Sequence, residues 1–179
     1  MIWLIRHGEA AASWGEADDP GLSDLGRKQA AHAAELLVAQ PVDKAITSPM
    51  ARCRETAQAF ASRSGLPLAV EPAVTEIPTP AGLTDRRAWL SGFMAGKWSD
   101  APDLLKSWKQ TLLQSIEAIP DNTAVFTHFV AINAIASHLM GNEDVTVFRP
   151  ANCSITTLHR QSGDLAVHSL GSEAATQVL

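Results

Sequence analysis

Positive charge is scarce in this chain: 14 lysines and arginines stand against 19 acidic residues, the net charge is −5, and no Lys/Arg block occurs. A nucleic-acid partner normally demands a basic stripe, so none is expected. No apolar run is long enough to span a bilayer, and the N-terminus lacks the basic start and cleavage site of a signal peptide. The expectation is a cytoplasmic protein with no membrane partner. Cysteine is scarce as well. Cys53 and Cys153 form no metal-type pair and are too few for a disulfide framework. They read as small buried thiols in a reducing compartment, a single Cys53–Cys153 bridge being the alternative. There is no HExxH-type histidine pair, Gly-x-Ser-x-Gly elbow or Walker loop, which removes three common ways of building an active site. No metal and no cofactor are expected.

What is present suits one domain, spanning 1–179. At 179 residues and 46% hydrophobic content the chain can bury a substantial core. Its opening, Leu4-Ile5-Arg6-His7-Gly8-Glu9, is an apolar run broken by arginine, histidine and glycine. That pattern predicts a buried strand leaving its sheet, with Arg6 and His7 at the carboxyl end, where open α/β sheets place ligand crevices. Ser23 predicts the N-cap of a helix with Leu22, Leu25, Ala33, Leu36 and Leu37 on one face, ending by Pro41. Lys44–Thr47 is a second strand. Ser48-Pro49 predicts an N-cap followed by proline at the first helical position, and Gly65 closes that helix. Leu66–Val70 is a third strand.

Residues 71–100 break the rhythm with Pro72, Pro78, Pro80, Gly82, Gly92 and Gly96, and with Trp89, Phe93 and Trp98 between them. Two readings fit: a lid-like insertion over a site, or a packed unit covering a sheet edge. An amphipathic helix through Leu105, Leu112 and Ile116 follows, then a strand Thr123–Thr127 ending at His128, a buried helix Val130–Met140, and a terminal hairpin about Ser162-Gly163-Asp164. Strands alternating with helices predict a layered α/β sheet with an antiparallel terminal element.

In a largely parallel sheet, His7, Arg52 and His128 gather on one rim. Arg52 lies in the first turn of the second helix, whose backbone N–H groups and dipole favour an anion. Two arginines disfavour protonation of nearby imidazoles and hold phosphate oxygens. A neutral His7 then has the lone pair to attack phosphorus.

The segments Arg6-His7-Gly8-Glu9, Leu22-Ser23-Asp24-Leu25-Gly26, Ser48-Pro49-Met50-Ala51-Arg52 with Thr56-Ala57, and Thr127-His128 occur in an order that resembles the histidine phosphatase superfamily, which includes phosphoglycerate mutases. Asn152-Cys153-Ser154-Ile155 is similar to its late asparagine/serine turn. The resemblance implies a three-layer αβα sandwich, mostly parallel, with His7 as phosphorylated nucleophile, Arg6 and Arg52 binding phosphate, and His128 completing the pocket. The family's proton donor, a glutamate shortly after the third strand, maps onto Glu76, with Glu71 as its neighbour and competitor. Three departures stand out. Phe129 follows the second histidine where many relatives have glycine, Ser13 or a neighbour replaces a first-loop asparagine, and Ile77-Pro78-Thr79-Pro80 replaces a Gly-x-Trp-Glu-Gly-like run.

Other polar residues have plainer readings. His32 flanks a helix face, His138 packs at a helix end, and His159 and His168 lie on the hairpin surface or edge. Arg54 and Glu55 are solvated helix charges, while Glu9 either orients a phosphate-site arginine or caps a turn. The expected activity is hydrolysis, without metal, of a small phosphomonoester or phosphorylated side chain through a phosphohistidine. A phosphoglycerate mutase-type phosphotransferase and a non-catalytic phosphate-binding protein are the alternatives.

Overall fold

The first strand, β1 (Ile2–Arg6), is apolar on both faces because both are covered. Side chains alternate along a strand. Ile2 and Leu4 enter one core with Leu112, Val125 and Ile132, whereas Trp3 and Ile5 enter a second with Leu37, Ala57 and Phe60. The computed structural model describes residues 1–12 and 19–174. Ser13, considered above for the first-loop asparagine, lies outside the described residues.

β1 pairs in parallel with β4 (Thr123–Thr127), which pairs in parallel with β2 (Lys44–Thr47), and β3 (Leu68–Val70) adds outside β2. On the other side, β5 (Ile155–Gln161) runs antiparallel to β1 and carries β6 (Asp164–Ser169) as a hairpin. The order is β3-β2-β4-β1-β5-β6. Helices α1 (Asp24–Val38) and α2 (Ala51–Ser64) cover one face of the sheet. The other is covered by α4 (Asp103–Ala118) and α5 (Phe129–Leu139), with α3 (Arg86–Met94) packed beside them. The three-layer α/β architecture is the expected one. No described helix is long and apolar enough to cross a membrane.

Four local expectations are corrected. Leu25 and Leu36 are not on the buried face of α1 but about half exposed. The buried stripe is Gly26, Ala30, Ala33, Ala34 and Leu37; the first four are small and let α1 lie close against α2, while Leu37 fills the core at its end. Ser48 is not an N-cap and Pro49 is not the first helical residue. α2 begins at Ala51 after Met50, whose side chain makes no capping bond. β3 starts at Leu68 rather than Leu66. Residues 71–100 also contain α3, which the surrounding prolines and glycines hid; Asp85 caps it by accepting from the Ala88 N–H at 2.9 Å. That stretch is packed. Val74, Ile77, Leu90 and Trp98 join the α4/α5 core, and Trp89, Phe93, Trp98 and Trp108 form a chain of ring contacts. Both cysteines are free thiols, so the Cys53–Cys153 bridge does not form.

Candidate active site

Parallel pairing sets Arg6 beside Thr127 and Thr47 beside Phe126. His7, Ser48 and His128 therefore leave the sheet at one rim. The His7 N–H donates to the Thr127 carbonyl at 3.0 Å, and the Asn152 amide donates to the His7 carbonyl at 3.1 Å. The imidazole is oriented just as tightly. Its Nδ1 is 2.7 Å from the Gly8 carbonyl, which can only accept, so Nδ1 carries the hydrogen. Nε2 is left with its lone pair, and Arg52 Nε donates to it at 3.2 Å. Burial first, then Arg52 and Arg6, push the His7 imidazole down to about 3. The arginines were expected to keep it neutral; loss of water is the larger cause.

The backbone beneath His7 is seated on α1. A Cβ on Gly8 would stand 2.6 Å from the Gly26 carbonyl oxygen, and one on Gly26 would collide with the Glu9 carbonyl. Two glycines thus allow main chain to rest on main chain. Gly8 N–H donates to Thr56 Oγ1 at 3.0 Å, and that hydroxyl donates to the Arg52 carbonyl at 2.7 Å. Glu9, left between two roles above, caps: its Oε1 accepts from the Ser23 hydroxyl at 2.7 Å, and Ser23 in turn accepts from the Gly26 N–H.

Arg52 is almost fully buried and spans both imidazoles, with Nη2 3.2 Å from His128 Nδ1. Its helix start was expected to offer free N–H groups, but the Ala51 N–H is taken by Asp19, whose two carboxylate oxygens stand at 2.9 and 3.0 Å. Asp19 also approaches Arg52 Nη1 at 3.9 Å. Sequence reasoning missed Asp19. The available signal was the lack of a capping side chain at Met50, which left the helix start to be satisfied from elsewhere.

Arg6 donates Nη1 to the Pro150 carbonyl at 2.8 Å and lies over the Phe129 ring, 5.2 Å from its centroid. Its buried Nε has no hydrogen-bond partner. Phe129, in the place of the family's glycine, turns its ring inward under Arg6 and into the core. His128 is fully buried between Arg52, Ser48 and Cys53, with its ring centroid 5.3 Å from that of His7. Burial, followed by His7, Arg52 and Arg6, holds it well below the usual imidazole range.

Glu76 reaches this cluster from the segment after β3. Thr127 donates its hydroxyl to the Val74 carbonyl at 2.6 Å, fastening that segment to the end of β4. One Glu76 oxygen accepts from the Ile77 N–H at 3.0 Å, and the other lies 3.8 Å from His128 Nδ1. With His128 neutral this is no ion pair. Burial raises the Glu76 carboxyl, against the pull of the Ile77 N–H, Arg52, Arg6 and Arg86. Glu71 is elsewhere, its carboxylate capping the short 3-10 turn Pro72–Val74 through the Ala73 N–H at 2.9 Å. Among the described residues no group of three or more His, Cys, Asp or Glu is placed to hold a metal ion. Arg6, His7, Arg52, Glu76 and His128 thus converge.

A family model for the histidine phosphatase superfamily, branch 1, matches residues 2–173. The chain belongs to that superfamily. A probable phosphoglycerate mutase of Serratia proteamaculans is 26% identical over 190 residues, covering 93% of this chain and 88% of its own. A glucosyl-3-phosphoglycerate phosphatase of Mycolicibacterium vanbaalenii is 35% identical over 77 residues, covering 41% of this chain and 34% of its own. Among solved structures, a phosphoserine phosphatase from Entamoeba histolytica in complex with 3-phosphoglyceric acid superposes with a TM-score of 0.72 at 22% identity, over 96% of each chain. That last likeness is one of fold.

In this member of the superfamily the neutral His7 has a consequence for stability. An unfolded chain binds a proton at an ordinary histidine near pH 6.5, whereas the folded chain refuses it down to about pH 3. The stabilisation is therefore present above the unfolded value and lost as pH falls toward the folded one. Between pH 7 and pH 5 the unfolding free energy of the wild type should fall by about 2 kcal/mol more than that of His7→Gln. Denaturant titrations at the two pH values check this. Parallel losses would place His7 in water.

Proposed function

We propose that this histidine phosphatase is a metal-independent hydrolase of a small phosphomonoester or phosphorylated side chain, working through a phosphohistidine at His7. The observation that carries the reading is the His7 Nε2 lone pair, held by the Gly8 carbonyl on one side of the ring and met by Arg52 Nε on the other. A phosphoryl group displaces that arginine contact and takes the lone pair instead. Arg6 and Arg52 bind its oxygens, the unpartnered Arg6 Nε supplying one donor. Nε2 attacks phosphorus as the bond to the leaving oxygen breaks, and the Glu76 carboxyl gives that oxygen its proton. Glu76 then takes a proton from water as water attacks the phosphohistidine. The P–N bond breaks, phosphate leaves, and both side chains return to their starting forms. Residues 71–100 act as the lid that keeps Glu76 dry.

A mutase-type transfer is the second reading. The Serratia proteamaculans relative, named a probable phosphoglycerate mutase, favours it over 93% of this chain. The Mycolicibacterium vanbaalenii phosphatase favours hydrolysis at higher identity over a shorter span. The deciding experiment is a screen of sugar, nucleotide, cofactor-precursor and phosphohistidine substrates in chelator, with phosphoglycerate isomerisation assayed alongside. Phosphate release without isomerisation is expected. Inactivity throughout would favour a non-catalytic phosphate binder.

Arg52→Ala should weaken both vanadate inhibition and turnover, because the arginine holds ground state and transition state alike. The loss in transition-state stabilisation should be about 2–4 kcal/mol. Unchanged vanadate inhibition would place Arg52 outside the phosphate site.

A further inference from the structure

Arg52 is held by more than the two imidazoles. Its Nη2 donates to His128 Nδ1 at 3.2 Å and also to the thioether sulfur of Met50 at 3.3 Å. Met50 stands immediately before α2, where a short polar side chain that caps the helix is the usual choice. It makes no capping bond, and the Ala51 N–H goes to Asp19 instead. The backbone of Met50 is pinned. Its carbonyl accepts from the Cys53 and Arg54 N–H groups, each at 3.0 Å, and its N–H donates to Ser48 Oγ at 3.3 Å. The side chain is thereby set against Arg52, and the residue is half-buried, so part of it meets water. A soft, oxidisable atom thus touches the arginine at the centre of the site.

We propose that Met50 is an oxidation site, and that conversion of its thioether to the sulfoxide by a peroxide weakens phosphate binding by dislodging Arg52. The inference rests on the reading above, in which Arg52 binds the phosphoryl group. In the oxidation the sulfur lone pair attacks one peroxide oxygen as the O–O bond breaks. An S–O bond forms, and the departing hydroxide takes the proton carried over on the transferred oxygen and leaves as water. Sulfur loses two electrons and the peroxide gains them. Each of the two sulfoxide epimers disturbs the arginine. Where the oxygen lies toward Nη2, an N–H···O contact of about 2.9 Å has to fit, with the S–O bond added, into a gap of 3.3 Å. The gap is too short, so sulfur and guanidinium must part. Where the oxygen lies away, a positively polarised sulfur is left facing the cation and repels it. Either way the Nε and Nη2 edge that meets His7 and His128 is turned from its place. The other sulfur atoms are worse placed for this. Cys53 is fully buried, and burial pushes both cysteine thiols up, away from the thiolate that a peroxide attacks. Met1 and Met94 pack against the apolar cores, and the exposed Met140 lies at the opposite end of α5 from His128.

The test is peroxide treatment of the whole chain followed by titration with vanadate, each reagent being removed before vanadate is added. Peptide mass spectrometry gives the oxidised fraction of every methionine. A fraction of the sites equal to the oxidised fraction of Met50, and not to that of Met140, should bind vanadate about tenfold or more weakly. Methionine sulfoxide reductases should restore the affinity, whereas a thiol reductant alone, which reverses disulfides and sulfenic acids, should not. Met50→Leu, similar in volume but without the sulfur, should hold its own untreated affinity through the same treatment. An equal loss in Met50→Leu, full recovery with the thiol reductant alone, or a Met50 sulfoxide that binds vanadate as before overturns the proposal. So does a Met50 that stays reduced while Met140 is converted. Should Met50→Leu not fold, the match between oxidised fraction and affinity in the wild type, with its reversal by the reductases, decides the matter. Titration needs no turnover. A protein that shows these vanadate shifts yet hydrolyses nothing keeps this inference and sinks the phosphatase reading, whereas an untreated protein that binds no vanadate overturns both.

Discussion

A His7→Ala variant is expected to lose all turnover while keeping its fold. The fold is expected to survive because the ring's partners, the Gly8 carbonyl, Arg52 and the edge of His128, lie at the rim of the sheet and His7 belongs to neither apolar core. Turnover does not, because the attacking lone pair is that of His7 Nε2, and His128, the other neutral imidazole, is fully buried with both ring nitrogens engaged by Arg52 and Ser48. The closest rival is Cys53, 3.3 Å from His128, but burial pushes its thiol up and away from the thiolate form that attacks. Cys153 is likewise pushed up to about 12. Brief exposure of the wild type to labelled substrate, followed by a quench that avoids acid, should leave phosphate on His7. Label on Cys53, Cys153 or a serine would sink the mechanism.

Glu76→Gln should separate substrates by their leaving groups. Alkoxide-like leaving groups need a proton as the P–O bond breaks, and losing the donor should slow them about 10²–10⁴-fold. Aryl phosphates expel a stable phenolate and should slow far less. If Glu76 instead only balances a lid cation such as Arg86, which acts on it electrostatically, both substrate types suffer alike. Equal loss on both, or none on either, would reject Glu76 as the acid. Folding provides an internal control. Burial raises the folded carboxyl above its unfolded value, so this residue's contribution favours the folded state at low pH and turns against it as pH rises through that interval. Glutamine has no such term. The variant should be at least as stable as the wild type at neutral pH, and its kinetic defect would be one of chemistry.

The site's chemistry was more legible in the chain than its scaffolding. Arg6, His7 and His128 could be placed because each follows an apolar run, and a parallel sheet brings such ends to one rim without further information. Glu76 carried only its spacing after β3. What places its carboxylate near His128 is the Thr127–Val74 hydrogen bond, a long-range contact that no local pattern announces. Ser48 misled because serine before proline has two uses. The ordinary one is a cap, and the local sequence has no way to show that His128, 80 residues later, would claim the hydroxyl. Leu25 and Leu36 misled for a different reason. Helical spacing selects large apolar side chains, but the interface between α1 and α2 selects small ones, and the leucines remain in water. α3 was invisible because the glycines and prolines around it outweighed nine residues of weak helical signal.

The seat of Gly8 on Gly26 bears on how this protein responds to random mutagenesis. Position 26 lies on α1 and belongs to none of the side chains assigned to bind phosphate. Yet an added methyl there has nowhere to go except into the Glu9 carbonyl, two residues after His7, and main chain cannot swing aside as the tip of a lysine would. A library screened for activity alone would score position 26 beside the reacting groups. Its variants would imitate a damaged nucleophile, although the imidazole itself was untouched.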